Sequence, residues 1–358
     1  MKKIFIYYFV LFISIFIMLI ISISFAKMKK EFMWLPLLNG VDKYNLDFFG
    51  YYISNDGNFL SGYYIYKRNV LFGVFFNQDQ LVKLPTLGGL ENCVFGGSRD
   101  SLLVGWALDN DGISRPVMWN NNRINKIIDY EGKALSISYN SKYIAGWYYN
   151  ELKEFKPFIY DLETKQLDTL DNLYFGNYDQ AYIFSINDNK NLSGYIKNSG
   201  SSDDSTNSTI PFVYIDNKLD IPSGIKAGKF YGMSNNNISV GYIIENDKSN
   251  AVTFENKKLK KIFSNNINSK AYSISIDGRV VVGYFEDPND NNYEKPFVYV
   301  NNKVIDLEKE YKQYLEGDSY LVEIRKVSAN GEYVLGLGYN SKIKTYQPFV
   351  ANISSLIK

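Results

Sequence analysis

Residues 273–300 read "SISIDGRVVVGYFEDPNDNNYEKPFVYV": two apolar strands around an Asp-Gly turn, an acidic loop, and a strand opening on Pro-Phe. The same order of pieces recurs at residues 138–160, "SYNSKYIAGWYYNELKEFKPFIY", and at 185–214, "SINDNKNLSGYIKNSGSSDDSTNSTIPFVY". An internal repeat overrides local readings, so its period comes first. The serine of "SISIDG" and the glycine of "VVVGY" mark it. The pairs are Ser54 and Gly62, Ser98 and Gly105, Ser138 and Gly146, Ser185 and Gly194, Ser234 and Gly241, Ser275 and Gly283, Ser328 and Gly336. Seven copies result, with successive glycines 43, 41, 48, 47, 42 and 53 residues apart.

Each copy contains four strand-like pieces. The first ends at the serine and is followed by a turn such as "NDG" (55–57), "IDG" (276–278) or "ANG" (329–331), whose residues tolerate positive φ. The second carries the glycine, as in "YIAGWYY" and "VVVGYF". A glycine weakens a strand unless something approaches it closely, so its recurrence implies a shared packing need, with an aromatic of a neighbouring sheet as the expected occupant. The third opens on proline in "RPVMW", "KPFIY", "IPFVY", "KPFVY" and "QPFVA", which suits a strand's first residue; the first and fifth copies read "FGVFF" and "NAVTF" there. The fourth is short and mixed, as in "RINKI" and "KKLKKI".

Four strands in roughly 40–50 residues is the signature of a β-propeller blade. The expected fold is therefore all-β: a seven-bladed propeller of four-stranded blades, one domain over residues 27–358. A two-domain sandwich does not account for the repeat, and a solenoid uses shorter ones. "DLEKEYKQYLE" (306–316) is the expected helix, with Leu307, Tyr311 and Leu315 at helical spacing. "FMWLPLLNG" (32–40) mirrors "LVKLPTLGG" (81–89), the end of the first repeat, yet follows no repeat of its own. The seventh repeat lacks a fourth strand. Residues 32–38 are thus expected to pair with 348–353 and close the ring.

These residues resemble the HAF-repeat family of probable extracellular proteins. The resemblance rests on "LPTLGG" (84–89), "SRDSLLVGWA" (98–107) and "RPVMW" (115–119), and it covers most of residues 32–358. The His-Ala-Phe positions of that pattern read Lys156-Pro157-Phe158 and Lys295-Pro296-Phe297 here. The resemblance implies export and a repeat β architecture; it brings no catalytic residues.

The N-terminus fits export. Lys2 and Lys3 precede an uncharged apolar run from Ile4 to Phe25, and Ser24 and Ala26 place small residues before a cleavage point. The alternative is an uncleaved anchor, since the run is long enough to span a bilayer. Either reading places the body outside the cytoplasm: secreted, periplasmic or at the cell surface.

Composition removes several functions. The chain has no histidine, which excludes Ser-His-Asp and Cys-His nucleophilic sites and His-ligated metals. Cys93 is the only cysteine, so no intrachain disulfide forms, and a small buried apolar role is expected. Losing Lys2 and Lys3 from 39 basic residues against 38 acidic ones leaves the mature chain near −1, with no global attraction for nucleic acid. No P-loop or dinucleotide fingerprint is present.

Variable loops on a repetitive scaffold are where binding chemistry sits. In a propeller, the loops between second and third strands share a face with the inter-blade connections, and the Asp-Gly turns occupy the other. These loops carry Asp109, Asp111, Glu151, Glu154, Glu245, Asp287 and Asp290, candidates for the paired acids of a glycosidase. "DPNDNN" (287–292) is a candidate Ca²⁺ loop but lacks the EF-hand frame. Trp106, Trp147 and Tyr284 each follow a repeat glycine, which favours packing between blades over a stacking platform. The sequence assigns no catalytic, cofactor-binding or metal-ligating residue and no cofactor. It leaves an exported binding module for a protein or glycan ligand at the loop face, with a carbohydrate-active hydrolase as the alternative. N-terminal sequencing of the protein from its host should find a mature start at Lys27; a membrane-bound chain starting at Met1 would establish the anchor instead.

Overall fold

The structure, a computed structural model, describes residues 31–37, 47–66, 70–77, 80–170, 178–198 and 209–358. The signal-peptide expectation for residues 1–26 and the start at Lys27 lie outside the described residues. The compact unit is Phe32–Lys358. Its strands form seven four-stranded antiparallel sheets, and in six of them the four strands are consecutive in sequence. The third sheet, for example, runs Gly132–Ile137, Tyr143–Tyr149, Phe155–Asp161 and Leu167–Thr169. This is the seven-bladed propeller expected from the repeat.

Local chemistry explains the blade. Each first-to-second turn places one residue at positive φ: Gly57, Ser101, Ser141, Lys190, Asn237, Gly278 and Gly331. The preceding serine closes the turn. Ser275 Oγ accepts the Val280 N–H at 3.0 Å and Ser328 Oγ the Tyr333 N–H at 2.9 Å. In blade 4 this place belongs to Asn187, whose side-chain oxygen accepts the Asn191 N–H at 3.0 Å. Ser185, taken as the marker from sequence, lies two residues earlier, because an amide oxygen serves this turn as well as a hydroxyl. The outer hairpins use consecutive positive-φ residues at Asn121-Asn122, Asp216-Asn217, Asn256-Lys257 and Asn301-Asn302, the geometry of tight type I′ turns.

The repeat glycine has a cause other than the one expected. The first strand of every blade bulges by one residue opposite it, as between Ala134 and Ser136. A Cβ at Gly105, Gly194 or Gly241 would lie 1.8–1.9 Å from the carbonyl oxygen of Cys93, Tyr182 or Lys229 on that bulged strand. The close approach is therefore made by the blade's own backbone and not by a neighbouring sheet's aromatic. On the other side the third-strand phenylalanine pairs with the glycine, Phe158 with Gly146 and Phe349 with Gly336, and both rings are fully buried.

The core lies between blades. Seven apolar clusters fill the seven junctions, each drawing on two neighbouring sheets. Ring closure follows the expected pairing in shortened form. Phe32–Trp34 is the outer strand of the seventh sheet, with Phe32 opposite Ala351 and Trp34 opposite Phe349. Leu35 extends the contact by donating its N–H to Pro348 O at 2.8 Å, and its side chain is fully buried beside the first blade. The helix at 306–316 is also shorter than expected. Asp306 caps a single α-turn, Leu307–Glu310, and a 3₁₀ turn follows at Lys312–Tyr314. Leu307, Tyr311 and Leu315 are nonetheless all buried against blades 6 and 7. Among the described residues no helix is long and apolar enough to cross a membrane.

A ring held together partly by a three-residue strand should depend on it. Deleting residues 27–35 removes buried Leu35 and exposes the edge of Thr345–Asn352. The expected result is a fall in Tm of about 10 °C or more, with self-association visible in light scattering. A truncated protein that melts like the parent and stays monomeric would show that closure contributes nothing.

Candidate functional site at the channel and loop face

The bulge decides what lines the central channel. In each blade one extra residue is thrown out of register: Tyr51, Phe95, Leu135, Phe184, Tyr231, Tyr272 and Arg325. These side chains meet around the axis. Ring centroids are 5.3 Å apart for Tyr51 and Phe95, and 5.6 Å for both Phe184–Tyr231 and Tyr231–Tyr272. The Arg325 guanidinium lies over Tyr272 at 4.4 Å and over Phe49 at 4.8 Å. Its Nε donates to the buried Glu323 carboxylate. Burial alone would lower the Arg325 pKa, but Glu323 and the surrounding tyrosines hold the guanidinium firmly charged. Burial pushes the Tyr231 phenol up to about 12. A collar of five aromatics, Leu135 and one cation thus stands between the loop-face end and the turn-face end of the channel.

On the loop side of the collar a second pattern repeats. The first-strand residue two before the bulge packs on the residue that follows the glycine of the preceding blade. Lys133 lies over Trp106 at 4.8 Å, Lys229 over Tyr195 at 4.5 Å and Lys270 over Tyr242 at 4.9 Å. Trp106, Tyr195, Tyr242 and Tyr284 are buried, in line with the inter-blade packing expected of this position. Trp106 Nε1 has no hydrogen-bond partner among the described residues. Burial lowers the Lys270 pKa.

Trp147 keeps the contact, with Tyr182 as the residue over it, but differs in exposure. It is half-buried and stacks on Phe155 at 5.2 Å, with Tyr149 at 5.4 Å and Tyr182 of the next blade at 6.2 Å. Lys197 lies 5.3 Å over Tyr182. The junction of blades 3 and 4 therefore presents a partly accessible aromatic cluster flanked by lysines. The sequence reading missed it because Tyr149 and Phe155 belong to no repeated position.

The loop acids named from sequence are engaged within their own blades. Asp109 accepts the Ile113 N–H and pairs with Arg115 at 2.7 Å, and these bonds hold its carboxyl below the usual range. Glu151 accepts from Tyr130, Glu154 pairs with Lys156 at 3.3 Å, and Glu245 pairs with Lys261. Asp111 is exposed on its turn. In the candidate Ca²⁺ loop, Asp287 and Asp290 share the Lys295 ammonium at 3.2 and 2.8 Å, so a cation already sits between them. Among the described residues no cluster of acids or cysteine is arranged to hold a metal ion. Cys93 is fully buried and burial pushes its thiol up, as befits a packing role.

Three further acids lie on strands of blades 6 and 7. Glu286 and Glu294 face each other across blade 6, and Glu323 stands on the first strand of blade 7. Glu294 is solvent-accessible at the start of its strand; partial desolvation raises its pKa, and the charges of Glu323 and Glu286 raise it further. Reading chemistry only from loops passed these three over.

No family model matches the sequence, and no curated protein matches it. Among solved structures the chain is similar to the β-propeller domain of the Trilobed protease from Pyrococcus furiosus, at 10% identity over 85% of this chain and 95% of that one, with a TM-score of 0.56. It is also similar to Pyrococcus horikoshii acylaminoacyl peptidase, at 7% identity over 84% of this chain and 50% of that one, TM-score 0.53. A structure from a study of two prolyl endopeptidases gives 9% identity over 87% and 47%, TM-score 0.51. The chain spans about half the length of these last two. At such identities the likeness establishes the propeller fold alone. The Trilobed protease propeller is described as having an open velcro topology, whereas the seventh sheet here takes its outer strand from Phe32–Trp34.

The Lys295 site yields a test. Asp287 has a carboxyl pKa below its ordinary value, through the Asn289 N–H first and Lys295 second. Its stabilising effect is therefore full above the unfolded-state pKa and lost as pH falls through the folded one. Lys295→Met should cost about 1–2 kcal/mol at pH 7 by denaturant titration. The gap to wild type should narrow below about pH 4, where the carboxylates protonate in both proteins.

Proposed function

We propose that this protein is an exported propeller that binds a glycan bearing acidic groups at its loop face. The observation that carries the reading is the half-buried cluster of Trp147, Tyr149, Phe155 and Tyr182, bordered by Lys197 and Lys229. Aromatic faces offer large contact area at low entropic cost and suit the apolar faces of sugar rings, while the lysines supply charge complementarity. Export is supported by the apolar run and small residues before Lys27, and by the resemblance to the HAF-repeat family. A protein ligand would use the same surface, since Trp and Tyr are the usual anchors of interfaces.

One observation favours a second reading. Glu286 and Glu294 stand directly opposite each other across blade 6, and neighbouring carboxylates raise the Glu294 pKa, so the two offer the paired acids a glycoside hydrolase needs.

A glycan array followed by isothermal titration with the best hits tests both readings. Trp147→Ala and Tyr182→Ala should each weaken binding about tenfold or more. Lys229→Ala should reduce the salt dependence of affinity. Binding to acidic glycans that survives all three substitutions would remove the loop face as the site. Turnover of a bound glycan that stops in Glu294→Gln would establish the hydrolase; turnover unaffected by that change, or none at all, would exclude this carboxyl as the acid.

A further inference from the structure

Below the collar, at the turn-face end of the channel, lies a cavity of about 100 Å³. Its wall is built from residues that follow the bulge. Gly96 and Gly97 line it, the latter covered by the Tyr52 ring, together with the polar residues Ser136, Ser185, Asn187, Asn235 and Lys326. The layer directly after the bulge reads Tyr52, Gly96, Ser136, Ser185, Gly232, Ser273 and Lys326, so blade 7 alone contributes a charge there.

Lys326 is half-buried, and its side chain makes no hydrogen bond, ion pair or ring contact among the described residues. The adjacent Arg325 is turned to Glu323 and the collar rings, so the only carboxylate close by in sequence is already taken. The serines are set for a ligand as well. Ser136 Oγ accepts the Ile186 N–H at 3.2 Å and Ser185 Oγ accepts the Met233 N–H at 3.1 Å, each from the next blade. Those bonds orient the hydroxyls by their lone pairs and leave each proton without an acceptor among the described residues. No carboxylate is among the lining residues.

We propose that the turn-face end of the channel binds a small oxyanion, with Lys326 as its counter-charge and the Ser136 and Ser185 hydroxyls as donors. The volume takes a sulfate-sized ion or the carboxylate end of a larger molecule, and is well below that of a drug-sized pocket. The site lies on the opposite side of the collar from the glycan-binding surface and does not depend on it.

Burial lowers the Lys326 pKa to about 8. The titratable groups that line the cavity with it are the phenols Tyr52 and Tyr139; Arg325 and Tyr272 stand in the collar above, the Asp188 carboxylate is bonded to the lining Asn235, and Asp56 and Asp100 act on Tyr52. An unoccupied ammonium is charged below that pKa and neutral above it, so anion affinity should be present at pH 6.5 and lost by pH 9.5. Sulfate and acetate keep their charge over this window, which assigns the pH dependence to the protein.

The test compares sodium sulfate, sodium acetate and sodium chloride at equal ionic strength, by thermal shift and isothermal titration, with wild type, Lys326→Met and Lys326→Arg. Sulfate or acetate should raise the wild-type Tm beyond chloride at pH 6.5, in proportion to the logarithm of concentration above Kd. The gain should vanish at pH 9.5, be absent in Lys326→Met, and be retained in Lys326→Arg. Response to sulfate alone would identify a free tetrahedral ion; response to acetate as well would identify a carboxylate. Should Lys326→Met fail to fold, amine labelling of wild type read by mass spectrometry replaces it, with the anion expected to protect Lys326 selectively. Equal Tm gains in wild type and Lys326→Met would mark a general salt effect and overturn the site. No gain over chloride, or labelling of Lys326 unchanged by the anion, would overturn it equally.

Discussion

One close contact organises this molecule: a carbonyl oxygen of the first strand pressed against the repeat glycine of the second. The oxygen lies 1.8–2.4 Å from where a Cβ would stand in all seven blades. Any side chain there would force the strands apart, so the bulge and the glycine imply each other. The bulge adds a residue to the channel-lining strand and turns its side chain toward the axis. Seven such residues, five of them aromatic, make the collar, and the collar separates the two ends of the channel. The packing between blades follows from the same geometry, because the residue after the glycine is held where the next blade's lysine or tyrosine can lie over it.

The two faces differ because different parts of the repeat vary. At the turn face the serine-capped turns are nearly uniform, and hydrogen bonds pass from blade to blade, as from Asn235 N–H to Ile276 O and from Ile276 N–H to Ala329 O. The last step joins the ends of the chain, where Asn330 N–H donates to Asn55 Oδ1 at 2.9 Å and Asn330 Nδ2 to Asn55 O at 3.1 Å. A rigid rim of this kind suits a small preformed cavity such as that around Lys326. The loop face carries insertions of different length and chemistry. Its acids are mostly neutralised inside their own blade, which weighs against the loops as a source of paired catalytic carboxylates and leaves Glu294 as the unusual group.

The sequence by itself determined the repeat, the number of blades, the turn chemistry and the pairing of the two ends. These are local or periodic properties: positive-φ residues at turns, apolar alternation, and the likeness of residues 32–40 to 81–89. Short-range signals stop there. Asn187 could replace serine in a turn without a trace in the pattern, which shifted the blade 4 marker to Ser185. The helical spacing of Leu307, Tyr311 and Leu315 was read correctly as one buried face, although the backbone completes a single α-turn before tightening. Tertiary structure alone decided which side chains reach the axis, since a one-residue bulge reverses the facing of every residue after it. It alone placed Trp147 beside Phe155 and Tyr182, brought the Glu323 charge within reach of Glu294, and left the Lys326 side chain without a partner among the described residues in a cavity. Each of those arrangements joins residues from two blades or more, and the distance between two blades is set by ring closure and not by any stretch of the chain.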